Sequence, residues 1–195
     1  PRDLPIPGRD LLGVHLAMQY LPLQNKRNQG DPIPEKDFIS AKDRKVVVLG
    51  GGDTGSDCHG TALRQGCRSL LSLELLPKPP EQRPSNNPWP EWGRVFRTSS
   101  SHEEGGARDW GILTKEFCGK NGRLTNIRAV RVDWQGPALG SHDDSSRRPR
   151  SAAGGAANGG PPKMVEIPGS EFEIEADLVL LALGFLGPEK GTLLI

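Results

Sequence analysis

The chain is short of cysteine and has almost no excess of either charge, and each shortage argues against a class of function. Its three cysteines, Cys58, Cys67 and Cys118, show neither C-x-x-C spacing nor a histidine at a ligand-like interval, so we expect no zinc or iron-sulfur site on this chain. They are typical of reduced thiols in a reducing compartment. The formal net charge of +1 gives no electrostatic reason to bind nucleic acid or an anionic membrane surface.

Long apolar runs and a leader sequence are also missing. No apolar run approaches the roughly 20 residues that a membrane-spanning helix needs. The sequence starts at Pro1 without methionine or a basic-then-apolar leader, which indicates either a removed targeting segment or a piece of a larger protein, and we favour the piece. Only 34% of the 195 residues are hydrophobic, so the apolar residues must be concentrated in a few segments of one Rossmann-sized unit with appendages.

What is present is an apolar run followed by glycines, VVVLGGGDTGSDC, residues 46–58. The β-branched, wholly apolar start is typical of a strand buried on both faces of a parallel sheet. The residues after the glycines have a helix-like composition that ends near Gly66, and SLLSLELL, residues 69–76, predicts a second buried strand. A strand, a glycine turn, a helix and a strand within about 30 residues form a βαβ unit.

The glycines fit the pattern G-x-G-x-x-G at Gly50, Gly52 and Gly55. In a dinucleotide site the first permits the tight turn, the second removes a Cβ that would hold the pyrophosphate away, and the third lets helix and strand pack closely. The helix then offers unpaired N–H groups and its positive dipole end to the phosphates. We therefore predict a dinucleotide site; a glycine-rich turn without a ligand is the alternative.

Glu74 predicts which dinucleotide binds. It lies 24 positions after Gly50, close to the roughly 20-residue interval at which an acid accepts hydrogen bonds from the adenosine ribose. A carboxylate there would repel a 2′-phosphate, and Leu75 and Leu76 follow where a phosphate site would offer arginines. The pattern favours NADH over NADPH, with a solvated strand end as the alternative interpretation of Glu74.

The segments around this unit are less regular. Residues 1–15 predict an extended lead-in, followed by one short helix that ends near Pro22 and a polar loop over residues 27–43. The dipeptide Asn121-Gly122, between two alternating runs, predicts a β-hairpin.

The second half of the chain ends in a buried strand, residues 178–183, after an alternating run. Between the hairpin and these strands, residues 136–162 are rich in glycine, alanine, serine and proline. Such a composition buries too little apolar surface to offset its ordering entropy, so we predict a disordered insert.

Two further groups could carry chemistry. SHEEGG, residues 101–106, places His102 beside two glutamates, but no periodicity fixes a geometry there and a solvated loop is favoured. Three tryptophans in polar, proline-rich surroundings could stack on a flavin, although capping a small core is favoured: Trp89, Trp92 and Trp110.

Several separated motifs resemble one enzyme family. VVVLGGGDTGSDCHGTALRQGC, LELLPKPPEQR, NPWPEWGRVFR, DLVLLALGFLGPE and the opening PRDLPIPGRDLLGVHLAMQYL are similar to the small subunit of glutamate synthase, or to the matching C-terminal NADH-binding region of the fused NADH-dependent enzyme of plants and algae. The resemblance covers nearly the whole chain apart from the low-complexity insert.

The resemblance implies an α/β fold, a Rossmann-type NAD(P)H-binding domain with an inserted antiparallel β-meander, from a flavoprotein with two dinucleotide-binding domains. Residues 1–44 would link from the FAD domain, residues 45–183 would form the NADH-binding domain, and residues 184–195 would return toward the FAD domain. In such enzymes NAD(P)H reduces FAD, and electrons pass through iron-sulfur clusters to FMN, where glutamate forms from 2-oxoglutarate and glutamine-derived ammonia.

The resemblance also implies a set of cofactor-binding residues and partners. Glu74 would face the ribose, and no catalytic side chain is expected, because hydride transfer between two bound cofactors requires none. The partners would be the remainder of the FAD domain and the glutamate synthase catalytic region, in the cytoplasm or, by resemblance only, the plastid stroma. The other implied cofactor-binding residues are Gly50, Gly51, Gly52, Asp53, Thr54, Gly55, Ala182 and Gly184.

The chain also departs from the family pattern. It has no second G-x-G-x-x-G for FAD, no cysteine-rich segment, no C-terminal Gly-Asp motif, and a shortened GGARDWGI, residues 105–112. We therefore expect weak nucleotide binding and no turnover by this chain alone. Two alternatives stay open: a ferredoxin-coupled or dihydropyrimidine dehydrogenase-like flavoprotein reductase, and a truncated module that only binds a partner subunit.

Overall fold

Eight strands form two sheets in the computed structural model, which describes residues 1–91, 93–135 and 162–187. The larger sheet has five strands in the order β1-β8-β2-β3-β4, and every neighbouring pair is parallel. In chain order the strands are β1 Val14–Leu16, β2 Lys45–Leu49, β3 Ser69–Glu74, β4 Ala107–Trp110, β5 Ile112–Lys120, β6 Arg123–Gln135, β7 Lys163–Glu175 and β8 Leu178–Leu181.

The predicted two-sided burial of β2 is confirmed. Val46 and Val48 pack into a core that the parallel sheet shares with helices, whereas Val47 and Leu49 pack into a second core under the antiparallel sheet. Because successive side chains of a strand point to opposite faces, both faces need apolar residues, which is why the run lacks alternation. β8 is buried throughout in the same way, and it ends at Leu181 rather than at residue 183.

The smaller sheet is antiparallel, in the order β5-β6-β7, and it is inserted between β4 and β8. Asn121 and Gly122 join β5 to β6 with φ of 53° and 74°, the pair of left-handed residues that a tight hairpin turn requires. Phe117 and Ile127 pack this sheet against the parallel sheet. The predicted fold class, a Rossmann-type α/β sheet with an inserted antiparallel meander, is confirmed. The predicted insert over 136–162 lies, apart from Pro162, outside the described residues.

The helices are α1 Ala17–Asn28, α2 Asp53–Arg64 and α3 Ser100–Glu103, with a 3₁₀ turn at Glu35–Asp37. The end of α2 agrees with the prediction. Gly66 has φ of +80°, and its amide donates a hydrogen bond to the Leu63 carbonyl, while the Cys67 amide donates to the Ala62 carbonyl. This pair of bonds is the Schellman arrangement, in which a left-handed glycine satisfies the last helical carbonyls.

The prediction that the first helix ends near Pro22 is wrong, and so is the start of the loop predicted from Arg27. α1 continues through Pro22 to Asn28. Tyr20 is completely buried against the parallel sheet, and Arg27 lies 3.5 Å from the centre of the Phe38 ring. The stabilisation from packing of Tyr20 and Arg27 therefore exceeds the cost of the backbone hydrogen bond that Pro22 removes.

The short elements β1, β4 and α3 had no sequence signal. β4 reads ARDW and joins the sheet through its backbone, with Leu71 opposite Ala107 and Glu74 opposite Trp110. An edge strand of this length needs no apolar pattern to pair. Within the described residues, no helix combines the length and apolar character needed to cross a membrane.

Candidate functional site

A cleft of about 760 Å³ opens where β2, β3 and β8 end. Ligands of parallel α/β sheets bind at this carboxyl edge of the strands. All of the predicted site residues except Gly55 line the cleft, together with Leu75, Leu76, Phe185 and residues 2–4. The predicted residues that line it are Gly50, Gly51, Gly52, Asp53, Thr54, Glu74, Ala182 and Gly184.

Two of the loop glycines are required by the protein's own packing. Gly50 has φ of +114°, and a Cβ built on it would lie 2.2 Å from the Ala182 carbonyl oxygen. Gly55 is buried, and its Cβ would lie 2.1 Å from the Gly50 carbonyl oxygen. These contacts press the first turn of α2 against the end of β2 and β8, as the motif predicts for its first and third glycines.

Gly52 is different, because its missing Cβ faces open space. Apart from Gly52 itself and its two chain neighbours, no residue places an atom within 4 Å of that position, and the φ of −76° suits any residue. Gly52 precedes the first residue of α2, and its carbonyl accepts a hydrogen bond from Ser56. The amides of a first helical turn have no partner within the helix. An uncovered stretch of backbone therefore borders the cleft beside the positive end of a helix dipole.

Gly51 makes room for the carboxylate of Glu74. A Cβ on Gly51 would lie 1.9 Å from Cδ of Glu74, and 2.1 Å and 2.3 Å from its two oxygens. Trp110 donates its indole N–H to Oε1 of Glu74 at 2.9 Å, and Nη2 of Arg108 lies 3.5 Å from the same oxygen. The Glu74 side chain is only 20% exposed, so it is not a solvated strand end.

The residues that hold Glu74 come from β4, which sequence reasoning missed. The Trp110 ring meets Phe96 edge to face at 5.7 Å, and the Arg108 guanidinium lies 4.9 Å from the Phe96 ring centre. Asp109, between them, accepts two hydrogen bonds from Arg131 of β6, at 3.0 Å and 2.8 Å. Burial works to raise the pKa of Asp109, but hydrogen bonds from Arg131 and the Trp110 amide outweigh it, and the pKa falls below its ordinary value.

The histidine of the SHEEGG segment belongs to a structural network away from the cleft. Nδ1 of His102 accepts a hydrogen bond from the Ser99 amide at 3.2 Å, and its ring lies 4.8 Å from that of His59. His59 lies between Ser72, at 2.9 Å, and the Gly105 carbonyl, at 2.7 Å. Since a carbonyl only accepts, Nε2 of His59 carries a proton. Neither imidazole lines the cleft.

The other candidate groups do not add to the site. Trp89 is 84% exposed, so the prediction that it caps a core is wrong; Trp92 lies outside the described residues. Burial raises the pKa of Cys58 to about 12 and also raises the pKa of Cys67 and Cys118. No group of three potential metal ligands occurs within residues 1–91, 93–135 and 162–187.

Comparison with known proteins identifies relatives of this chain. No protein-family model matches the chain. The glutamate synthase (NADPH) small chain of Mycobacterium tuberculosis is 43% identical over 196 residues, and the glutamate synthase (NADH) of Schizosaccharomyces pombe is 42% identical over 197. The chain is homologous to a segment of glutamate synthase. The matches cover 99% and 97% of this chain, which spans 35% of the mycobacterial and 8% of the fission yeast glutamate synthase.

A solved structure supports the fold. Mycobacterium tuberculosis FprA, in complex with NADPH, superposes with a TM-score of 0.56 at 16% identity, over 98% of this chain and 49% of FprA. At this identity the likeness concerns the fold alone. The resemblance to glutamate synthase that the motifs predicted is therefore confirmed by sequence, and the Rossmann-type fold by structure.

Proposed function

We propose that the chain is the NADH-binding, electron-input domain of a glutamate synthase. The observation that carries the proposal is the uncovered face at Gly52, at the carboxyl edge of a Rossmann-type sheet. When bound, NADH supplies the hydride that reduces FAD, for the synthesis of glutamate from glutamine and 2-oxoglutarate. The remainder of the FAD domain and the catalytic region, with its iron-sulfur clusters and FMN, would be the partners.

The loop residues would hold the pyrophosphate. Gly52 leaves the backbone open to it, the first-turn amides of α2 would donate to its oxygens, and Thr54 adds a hydroxyl donor at the edge of the cleft. Gly50 and Gly55 would act indirectly, by fixing the loop against Ala182. Gly184, in the left-handed region with φ of +81°, would turn the chain past the bound nucleotide.

Glu74 would select NADH. Its carboxylate would accept hydrogen bonds from the ribose hydroxyls and repel a 2′-phosphate, and the neighbouring Leu75 and Leu76 offer no cation to a phosphate. The relatives are divided, since the mycobacterial protein is named for NADPH and the fission yeast protein for NADH. The free, protonated thiols are in keeping with a reducing compartment, the cytoplasm or the plastid stroma.

Titration with NADH tests the proposal. We expect saturable quenching of tryptophan fluorescence, and we expect Gly52→Val to raise the dissociation constant about tenfold or more, since the added methyls occupy the open space. Gly52 has an ordinary φ, so we expect the variant to keep its fold and to lose affinity only because the open space is filled. A flat response from the unmodified chain would contradict the proposal and favour a module that only binds a partner subunit.

A further inference from the structure

We propose that Gly51 and Trp110 are specificity-determining residues, which hold the Glu74 carboxylate in one place and thereby exclude nucleotides that carry a 2′-phosphate. The inference rests on the proposed function and deepens it. Glu74 alone would be a weak discriminator, because a freely rotating carboxylate can turn away from an incoming phosphate. The structure removes this freedom from two sides.

On the first side, Gly51 provides the space that the carboxylate fills. Every atom of the Glu74 carboxylate lies within 2.3 Å of the position a Cβ would take on Gly51. The backbone of Gly51 is not in the left-handed region, so its own conformation does not require glycine. The middle glycine of the GGG run is therefore explained by Glu74 and not by the turn.

On the second side, Trp110 fixes the carboxylate by a hydrogen bond. Glu74 and Trp110 are cross-strand partners of β3 and β4, so the indole reaches the carboxylate from a paired backbone. The indole N–H donates without adding a positive charge. Phe96, against the Trp110 ring, keeps the indole in place.

Arg108 neutralises part of the negative charge of Glu74 from a position outside the cleft. Its guanidinium also donates to the Arg97 carbonyl at 3.0 Å, its side chain is 15% exposed, and it is not among the residues that line the cleft. The group presented to the cleft is therefore the carboxylate, held in advance of binding. Preorganised groups lose less freedom when a ligand binds, so the fixed carboxylate favours ribose hydroxyls and disfavours a phosphate.

The test compares NADH and NADPH affinities by calorimetry, which does not depend on tryptophan fluorescence. Gly51→Ala must push the Glu74 side chain aside, and Trp110→Phe removes its hydrogen bond. In both variants we expect the NADH dissociation constant to rise about tenfold, as for a lost bond to a charged group, while the NADPH constant is unchanged or falls. Trp110→His keeps a ring N–H, and we expect it to retain part of the selectivity.

Trp134→Phe is the matched control. The Trp134 indole N–H donates to the Leu75 carbonyl at 3.1 Å, one residue along the chain from Glu74, and not to the Glu74 carboxylate. We expect the ratio of its NADH and NADPH dissociation constants to equal that of the unmodified chain. If Gly51→Ala and Trp110→Phe leave the ratio of the two dissociation constants unchanged, for example by weakening the binding of both nucleotides equally, the inference is overturned. If the unmodified chain binds neither nucleotide, the proposed function itself fails.

Discussion

At the scale of single residues, the loop glycines differ in what they are for. Gly50→Ala places a methyl group in a left-handed backbone and against the Ala182 carbonyl, so we expect a loss of about 2 kcal/mol or more in the free energy of unfolding. Gly52→Ala meets open space and should cost less than about 1 kcal/mol, mainly through helix capping. Urea denaturation of the two variants measures the difference, and equal losses would contradict it.

The same scale shows how far single-residue reasoning reaches. Glu74 was predicted as a site residue by its distance from Gly50 along the sequence, because the βαβ connection fixes where the second strand ends. The residues that hold it, Arg108 and Trp110, were not predicted. They meet Glu74 through the pairing of β3 with β4, and no local pattern records which polar residues an edge strand brings to its neighbour.

At the scale of elements, the packing of α3 against α2 depends on neutral histidine. Burial, with the nearby charge of Arg108 and His59, lowers the pKa of His102 to about 4. The unfolded chain takes up a proton near pH 6.5, whereas the folded chain does so only near pH 4. Stability is therefore complete above about pH 6.5 and is lost as the pH falls toward about 4.

The variant His102→Asn checks this pH dependence. Asparagine can still accept from the Ser99 amide but does not titrate, so the decline of the urea midpoint between about pH 6.5 and pH 4 should be shallower than in the unmodified chain. His15 remains as a second source of decline, because burial also lowers its pKa. Parallel pH profiles for the two chains would refute the role of His102.

The helices and strands differ in how well the sequence predicts their boundaries. β2, α2 and β3 were predicted because an apolar run, a glycine turn and a helix end each have a local physical cause. α1 was predicted too short, because its continuation past Pro22 depends on tertiary packing at Tyr20. Local propensity is a weak guide wherever burial decides.

At the scale of the whole molecule, the antiparallel sheet is part of the core and not an appendage. Phe117, 2% exposed, packs in one cluster with Val47 and Val179 of the parallel sheet. We expect Phe117→Ala to cost about 3–5 kcal/mol and both sheets to unfold in a single transition. Far-ultraviolet circular dichroism and tryptophan fluorescence should give coincident curves in urea; an early transition of one sheet alone would contradict this.

The position of β8 has a consequence for biosynthesis. β1 and β2 are not neighbours, because β8 lies between them, and the whole antiparallel insertion must be translated before that gap can close. A nascent chain that has emerged only as far as β4 lacks both β8, the strand that joins β1 to β2, and Ala182, the residue against which the glycine turn rests. The cleft beside the glycine turn is thus complete only after β8 has been translated and has paired with both β1 and β2.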